Sequence, residues 1–303
     1  MAARRETREK ESGLALAPAH PGAEVEREEP HGRGGYRPAN VRAVRAPLSV
    51  VILTKNEEDR LPAALASVAF ADEVVVADTG STDGTRDVAR LAGARVVSIG
   101  WDGFVASRNR ALAEARHDWV FALDADERVP EALRAEILDV LERNDHGVSG
   151  YRMPRLSHFL GRPVRHGTWY PDVKLRLGRR SCRLRAEGGR VHETLEVDGV
   201  VERLASALIH HPYRDLSDAL RKAARYAQLG AEDRYERGAR GSTAGLFGRP
   251  LFEFFRFLLL RGGFLDGVVG VSVAFLHASS YFLRAAFLLE RDRKRESGRN
   301  RNE

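Results

Sequence analysis

Between residues 48 and 123, short β-branched apolar runs alternate with segments of helical period, and this alternation constrains the fold more than any other feature. Leu48–Leu53 (LSVVIL), Glu73–Ala77 (EVVVA), Arg95–Ile99 and Trp119–Leu123 (WVFAL) read as strands. Runs that are apolar at successive positions suit parallel strands covered on both faces. Residues 57–69, with Leu61, Leu65 and Val68 on one face, then 82–92 and 104–116, read as the intervening helices. Strands and helices alternating at this spacing predict an α/β protein, a Rossmann-type α/β/α sandwich with a mostly parallel sheet.

The remainder divides by composition. Residues 1–46 mix Arg, Glu, Pro, Gly and Ala with almost no large apolar side chains, so the segment cannot bury enough surface to offset its ordering entropy and reads as a disordered tail. A catalytic domain is expected over 47–205, with irregular β structure in the Arg- and Gly-rich stretch 150–200. Helical period returns from Leu216 through Leu220, Ala223 and Ala227, predicting a helical region over 206–290 with a charged tail at 291–303. Cys182 is the sole cysteine, which excludes an internal disulfide or a thiolate cluster and suits a reducing, cytoplasmic compartment. The charged opening MAARRETREKESG has no apolar core behind it, so no secretory signal is expected. A net charge of +6 points to anionic partners without choosing among them. The basic residues are spread along the chain rather than clustered with aromatics, so nucleic acid is not the expected partner.

Three polar clusters follow strands and fall at one edge of such a sheet, where open α/β sheets bind ligands. Asp124-Ala125-Asp126-Glu127 follows Leu123, and carboxylates at i and i+2 suit Mg²⁺ or Mn²⁺ carrying a diphosphate. The same spelling also suits an acidic turn before a helix. Asp78-Thr79-Gly80-Ser81-Thr82-Asp83-Gly84-Thr85 follows the second strand; it can supply a helix cap or hydrogen-bond acceptors for a ribose or uracil edge. Thr54-Lys55-Asn56-Glu57 follows the first.

In this order and spacing LSVVILTKNEE, VVVADTGSTDGT, ASRNRAL and VFALDADE resemble the family 2 glycosyltransferases over about residues 48–140. Trp169-Tyr170-Pro171-Asp172, Lys174-Leu175-Arg176, Arg190-Val191-His192-Glu193 and Gly262-Gly263-Phe264-Leu265-Asp266-Gly267 extend the likeness to about residue 290. These blocks look like the bacterial branch related to lipopolysaccharide-core β-1,4-glucosyltransferases. The resemblance implies a GT-A fold and an inverting transfer from a nucleotide-sugar, such as a UDP-hexose, to a glycan or lipid-linked acceptor of the cell envelope. It implies that Thr54, Asn56, Glu57 and Asp78 line the nucleotide site, with Ser81 and Asp83 nearby. Arg108 and Asn109 would approach the diphosphate or sugar, Asp124 the donor, and Asp126, with Asp124, a divalent metal.

Inverting transfer also calls for a carboxylate base near the acceptor. Glu193 stands at a suitable distance downstream, with Asp172 as the second candidate, although the branch's more usual Glu-Asp spelling is absent. Trp169 and Tyr170 can stack on a sugar or pack in the core; Arg176, Arg155 and His192 are candidates to meet an acceptor or to lie in solvent. The Phe- and Leu-rich segments 251–260 and 268–289 are interrupted by Glu253, Asp266, His277 and Arg284. That pattern suits a helix lying in an anionic membrane interface on the cytoplasmic face, or a lid packed on the catalytic core. A nucleotidyltransferase or a non-catalytic basic binding module remains the alternative; the first lacks its usual Gly-rich basic loop after the first strand.

Overall fold

The structure, a computed structural model, describes residues 45–188 and 193–299. The predicted tail 1–46 therefore lies almost wholly outside the described residues, as does His192. Strands β1 (Leu48–Thr54), β2 (Glu73–Asp78), β3 (Arg95–Ser98) and β4 (Trp119–Asp124) alternate with helices α1 (Leu61–Ser67), α2 (Thr85–Leu91) and α3 (Phe104–Ala113). They pair in the order β3-β2-β1-β4, all parallel. The helices are shorter than their sequence signals because polar turns at 55–60 and 79–84 take up the first positions.

Strand periodicity explains why this half is stable. Leu48, Val50 and Ile52 of β1, with Trp119, Phe121 and Leu123 of β4, face one layer. There they meet Leu61, Ala64 and Leu65 of α1 and Leu133, Ile137, Val140 and Leu141 of α4 (Glu131–Arg143). Val51, Val120 and Ala122 face the opposite layer with Ala111 and Leu112 of α3. Side chains of successive strand residues point to opposite faces, so an uninterrupted apolar run is what a doubly covered strand requires. Each large side chain so buried contributes roughly 1.5–3 kcal/mol.

Beyond β4 the sheet changes character. It continues through β8 (Asp172–Arg179), β6 (Gly150–Phe159), β12 (Leu208–His210) and the two-residue β5 (Glu127–Arg128). The β4–β8, β8–β6 and β12–β5 pairings are antiparallel, while β12 runs parallel to β6. Short β7 (Arg162–Pro163) and β11 (Val201–Arg203) also pair with β6, and β9 (Arg185–Gly188) with β10 (Glu193–Glu196) forms a separate ribbon. The β structure expected across 150–200 is present, but in longer strands than the short runs suggest: β6 and β8 have ten and eight residues and pair with a register shift between Tyr151 and Arg152. Their arginines hid them, because Arg152, Arg155 and Arg176 point into a cavity rather than marking a solvated loop. The sheet also runs past residue 205, since β12 lies at 208–210.

The chain closes with α5 (Leu216–Glu236), α6 (Thr243–Phe255) and the long α7 (Gly267–Arg299), so helix continues into the charged segment that begins at 291. Asp215 caps α5 by accepting from Asp218 N, and Ser242 caps α6 by accepting from Gly245 N. A third apolar cluster joins this region to the sheet: Phe159 and Val164 pack with Ala219 and Ala223 of α5, Phe257, and Val269 and Val273 of α7. Asp266 pins the junction by accepting from the backbone N–H groups of Arg165 and His166 at 3.0 and 2.9 Å.

Candidate active site

The register of the parallel strands aligns their polar ends. Thr54 stands opposite Asp78, and Leu53 opposite Asp124. The three clusters therefore meet at one sheet edge, beside a cavity of about 790 Å³. Thr54, Glu57, Arg108, Asp124, Asp126, Arg176 and Glu193, all predicted from sequence, line it.

The turns after β1 and β2 are laced together. Asn56, in the left-handed region at φ 57°, donates its N–H to Ser81 Oγ at 2.9 Å, and its Oδ1 accepts from Thr82 N at 2.8 Å. Glu57 N donates to Thr85 Oγ1, and Gly84 N to Glu58 Oε2. This lacing sets where the turn residues expected at the nucleotide site stand. Asp78 is buried and turned back on its own turn, accepting from Gly80 and Ser81 N–H. Asp83 accepts from Thr85 N and Glu58 N. Asn56, Asp78, Ser81 and Asp83 thus shape the wall without lining the cavity. Asn109 likewise faces away: its amide exchanges hydrogen bonds with the Ala186 backbone and fixes α3 to β9.

At the centre is a buried ion network. Arg108, one turn into α3, donates to Glu193 Oε1 at 3.0 and 3.1 Å and pairs with Asp124 Oδ1. Arg176, from β8, donates to Asp124 Oδ2 at 2.6 Å and pairs with Glu127, whose Oε2 accepts from Asp124 N at 3.0 Å. Glu127 is fully buried. Burial works to raise the Asp124 carboxyl, but the charges of Arg176 and Arg108 outweigh it and hold Asp124 well below the ordinary carboxylate range. Burial pushes Glu127 the other way, upward, against the pull of Arg176. For both arginines burial is outweighed by their carboxylate partners, so they remain charged.

Asp126 sits apart from that network. Its Oδ2 lies 3.6 Å from His210 Nε2 and 3.7 Å from Arg60. Burial tends to raise Asp126, yet the neighbouring His210 and Arg60 bring it down. The ring of His210 is oriented by a 2.9 Å contact between its Nδ1 and Ser157 Oγ, and β12–β5 pairing sets His210 opposite Glu127. Sequence reading missed His210, although it ends an apolar strand as the other site residues do. Both oxygens of Asp124 meet arginines, Oδ1 Arg108 and Oδ2 Arg176, while Asp126 lies farther from its basic neighbours. Asp126 and His210 face one space, where the carboxylate suits Mg²⁺ or Mn²⁺ and an added imidazole suits Mn²⁺ better than Mg²⁺. Among the described residues no three such side chains converge, so an ion held there must complete its shell with oxygens from a ligand.

The acceptor-side expectations divide. Glu193 lines the cavity, one oxygen bound by Arg108 and Oε2 buried without a partner. Asp172 does not line it, and both its oxygens are engaged: Oδ2 accepts from Arg155 at 2.6 Å, and Oδ1 lies 3.1 Å from Lys174. Trp169, partly buried, packs edge-on against Phe159 and beside Tyr213, and neither it nor Tyr170 lines the cavity. Trp101 and Phe104, half-exposed and in T-shaped contact at the mouth, carry no sequence signal beyond being aromatic.

Comparison with known proteins finds glycosyltransferase relatives. Residues 49–187 match the family Glycosyl transferase family 2. Over 255 residues the chain is 29% identical to a lipopolysaccharide core biosynthesis glycosyltransferase, LpsC, of Rhizobium meliloti, covering 80% of this chain and 94% of that protein. It is 29% identical over 254 residues to an uncharacterized glycosyltransferase of Rickettsia typhi, covering 80% and 87%. Among solved structures it is similar to glucosyl-3-phosphoglycerate synthase from Mycobacterium tuberculosis in complex with uridine-diphosphate, at 29% identity and a TM-score of 0.31. That match covers 39% of this chain and 46% of the other, so the chain spans less than half of that solved structure.

Proposed function

We propose, from the match of residues 49–187 to glycosyl transferase family 2 and from the α/β fold, that the chain is a glycosyltransferase moving a hexose from a UDP-sugar to a glycan or lipid-linked acceptor in cell-envelope polysaccharide synthesis. The observation that carries this reading is the meeting of three strand-end clusters beside a single large cavity lined by Thr54, Glu57, Arg108, Asp124 and Asp126. The strand ends and the mouth aromatics Trp101 and Phe104 form the nucleotide side. Asp126 and His210 would hold a divalent cation, which when bound neutralises charge on the diphosphate. Arg108 and Arg176 stay cationic and stand next to the sugar-diphosphate position, where they favour charge developing on the leaving group.

Glu193 is the proposed base. Arg108 holds one oxygen of Glu193 in place, while the other is buried and unpartnered and has to turn into the cavity to take the proton of an attacking hydroxyl. Asp172 is disfavoured because its oxygens are committed to Arg155 and Lys174. The segment 47–205, completed by β12, carries the donor chemistry, and the helical region 206–290 carries attachment. Exposed Phe252, Phe255, Leu259, Leu260, Leu265 and Val268, with Arg249 and Arg261 beside them, support contact with an anionic membrane on its cytoplasmic side. Helix Gly263–Lys294 is long and apolar enough to cross a membrane, and only 22% of its most apolar window is buried. Arg284 and His277 within it favour an interfacial position.

The test is UDP release from UDP-glucose with a lipid extract as acceptor, with and without chelator. Glu193→Gln is expected to lose turnover while binding UDP as the parent does. Unchanged turnover in that variant would remove Glu193 from the mechanism, and chelator-insensitive release would remove the cation.

A further inference from the structure

The wall of the cavity opposite the donor strand ends is built from basic side chains on three different elements. Arg152 and Arg155 come from β6, Lys174 from β8 and Arg225 from α5, with Tyr226 next to it. Asp172 offsets Arg155 and Lys174 in part, and Glu196 lies 3.8 Å from Arg152. Arg225 is exposed and makes no ion pair among the described residues, while Tyr226 is 47% exposed.

Pairing decides which of these charges an incoming ligand meets. Arg155 and Lys174 share Asp172, and Arg155 and Arg176 also face Glu127, whereas Arg225 has no ion pair among the described residues and Arg152 only the 3.8 Å contact with Glu196. A sugar diphosphate and a divalent cation nearly cancel one another, so a loaded donor leaves Arg225 and Arg152 as the positive part of this wall. A neutral sugar gains nothing from that field, whereas charge-assisted hydrogen bonds to an anion are about twice as strong as neutral ones.

We propose that Arg152, Arg155, Lys174, Arg225 and Tyr226 form an acceptor subsite for an anionic sugar, one bearing a phosphate or a carboxylate. This rests on the donor assignment made above and names the class of acceptor. Arg225 and Lys174 bind the anionic group. Tyr226 covers the apolar face of the ring. The acceptor hydroxyl is thereby presented towards Glu193 on the adjoining β10.

The test measures binding of glucose, glucose 6-phosphate and glucuronate to the full-length protein, with and without UDP and Mn²⁺. Both anionic sugars are expected to bind roughly tenfold or more tightly than glucose, an advantage lost in Arg225→Ala and Arg152→Ala while UDP affinity stays unchanged. Preference for glucose 6-phosphate assigns phosphate, and preference for glucuronate assigns carboxylate. Equal binding of all three sugars overturns the subsite, as does an Arg225→Ala variant that loses UDP instead. Failure of UDP itself to bind would count against the donor reading, because the sugar preference is read in its absence as well.

Discussion

Replacing Arg176 by Met would test whether the ion network holds the site together. The Arg176 side chain is 8% exposed and spans Asp124, which is partly open, and Glu127, which is fully buried. Met has similar length and no charge, so the variant removes the pair without opening a large void. Glu127 keeps a hydrogen bond from Asp124 N and a more distant Arg155 at 3.4 Å, which cannot replace a direct partner. Breaking a buried pair on one side typically costs about 3–5 kcal/mol, because the remaining charge is stranded. For a folded body of this size, each kcal/mol moves the midpoint by about 2–4 °C, so melting should fall by roughly 6–20 °C. Denaturant unfolding and calorimetry of Arg176→Met, Glu127→Gln and the double variant supply the assay. The reasoning requires Glu127→Gln to restore much of the loss in the Arg176→Met background, since the amide has no charge to strand. A single variant within about 1 kcal/mol of the parent, or a double variant no better than Arg176→Met, would refute it.

Other consequences are also measurable. Gly167, at φ 82°, packs so closely on the Phe257 ring that a Cβ would collide with it, and Gly167→Ala should cost about 1–3 kcal/mol by overpacking in chemical unfolding. Asp126→Asn and His210→Ala should each weaken UDP binding in Mn²⁺ by at least about tenfold, yet leave binding in chelator unaltered by calorimetry; equal affinity in Mn²⁺ would exclude the pair as ion ligands. Phe252→Asp with Leu260→Asp should abolish flotation on phosphatidylglycerol vesicles, and parent protein that stays unbound, or resists alkaline extraction, would count against interfacial attachment. Glu73 is held below its usual range: burial raises it, but Ser49, Arg116 and Arg95 prevail. Its stabilising effect is therefore complete above the unfolded glutamate value, near about pH 4, and fades as pH falls through the lower folded value; Glu73→Gln should flatten that acid limb of the melting profile.

The half of the fold built on β1–β4 was legible because doubly covered parallel strands announce themselves as unbroken apolar runs, and the polar residues ending them necessarily share an edge. Thr54, Asp124 and Asp126 were found that way. Asn56, Ser81, Asp83 and Asn109 show the limit of that reading: a polar side chain spells the same whether it faces a substrate or another loop, and only the structure reveals their hydrogen bonds to Thr82, Asn56 N, Thr85 and Ala186. β6 and β8 were obscured for the opposite reason. Strand alternation is visible when one face is apolar, and here one face carries arginines that serve the cavity. His210 and Arg225 lie far along the chain from Asp126, so no local spacing linked them to it.

The position of His210 has a consequence for how the enzyme comes into being. The imidazole that faces Asp126 arrives on a strand more than eighty residues further along, inserted between β6 and β5. Pairings of such long sequence separation pay loop-closure entropy before contacts reward them and form late. A chain ending at β8 holds all four parallel strands but lacks the imidazole that faces Asp126, as well as Arg225 and Tyr226 of α5.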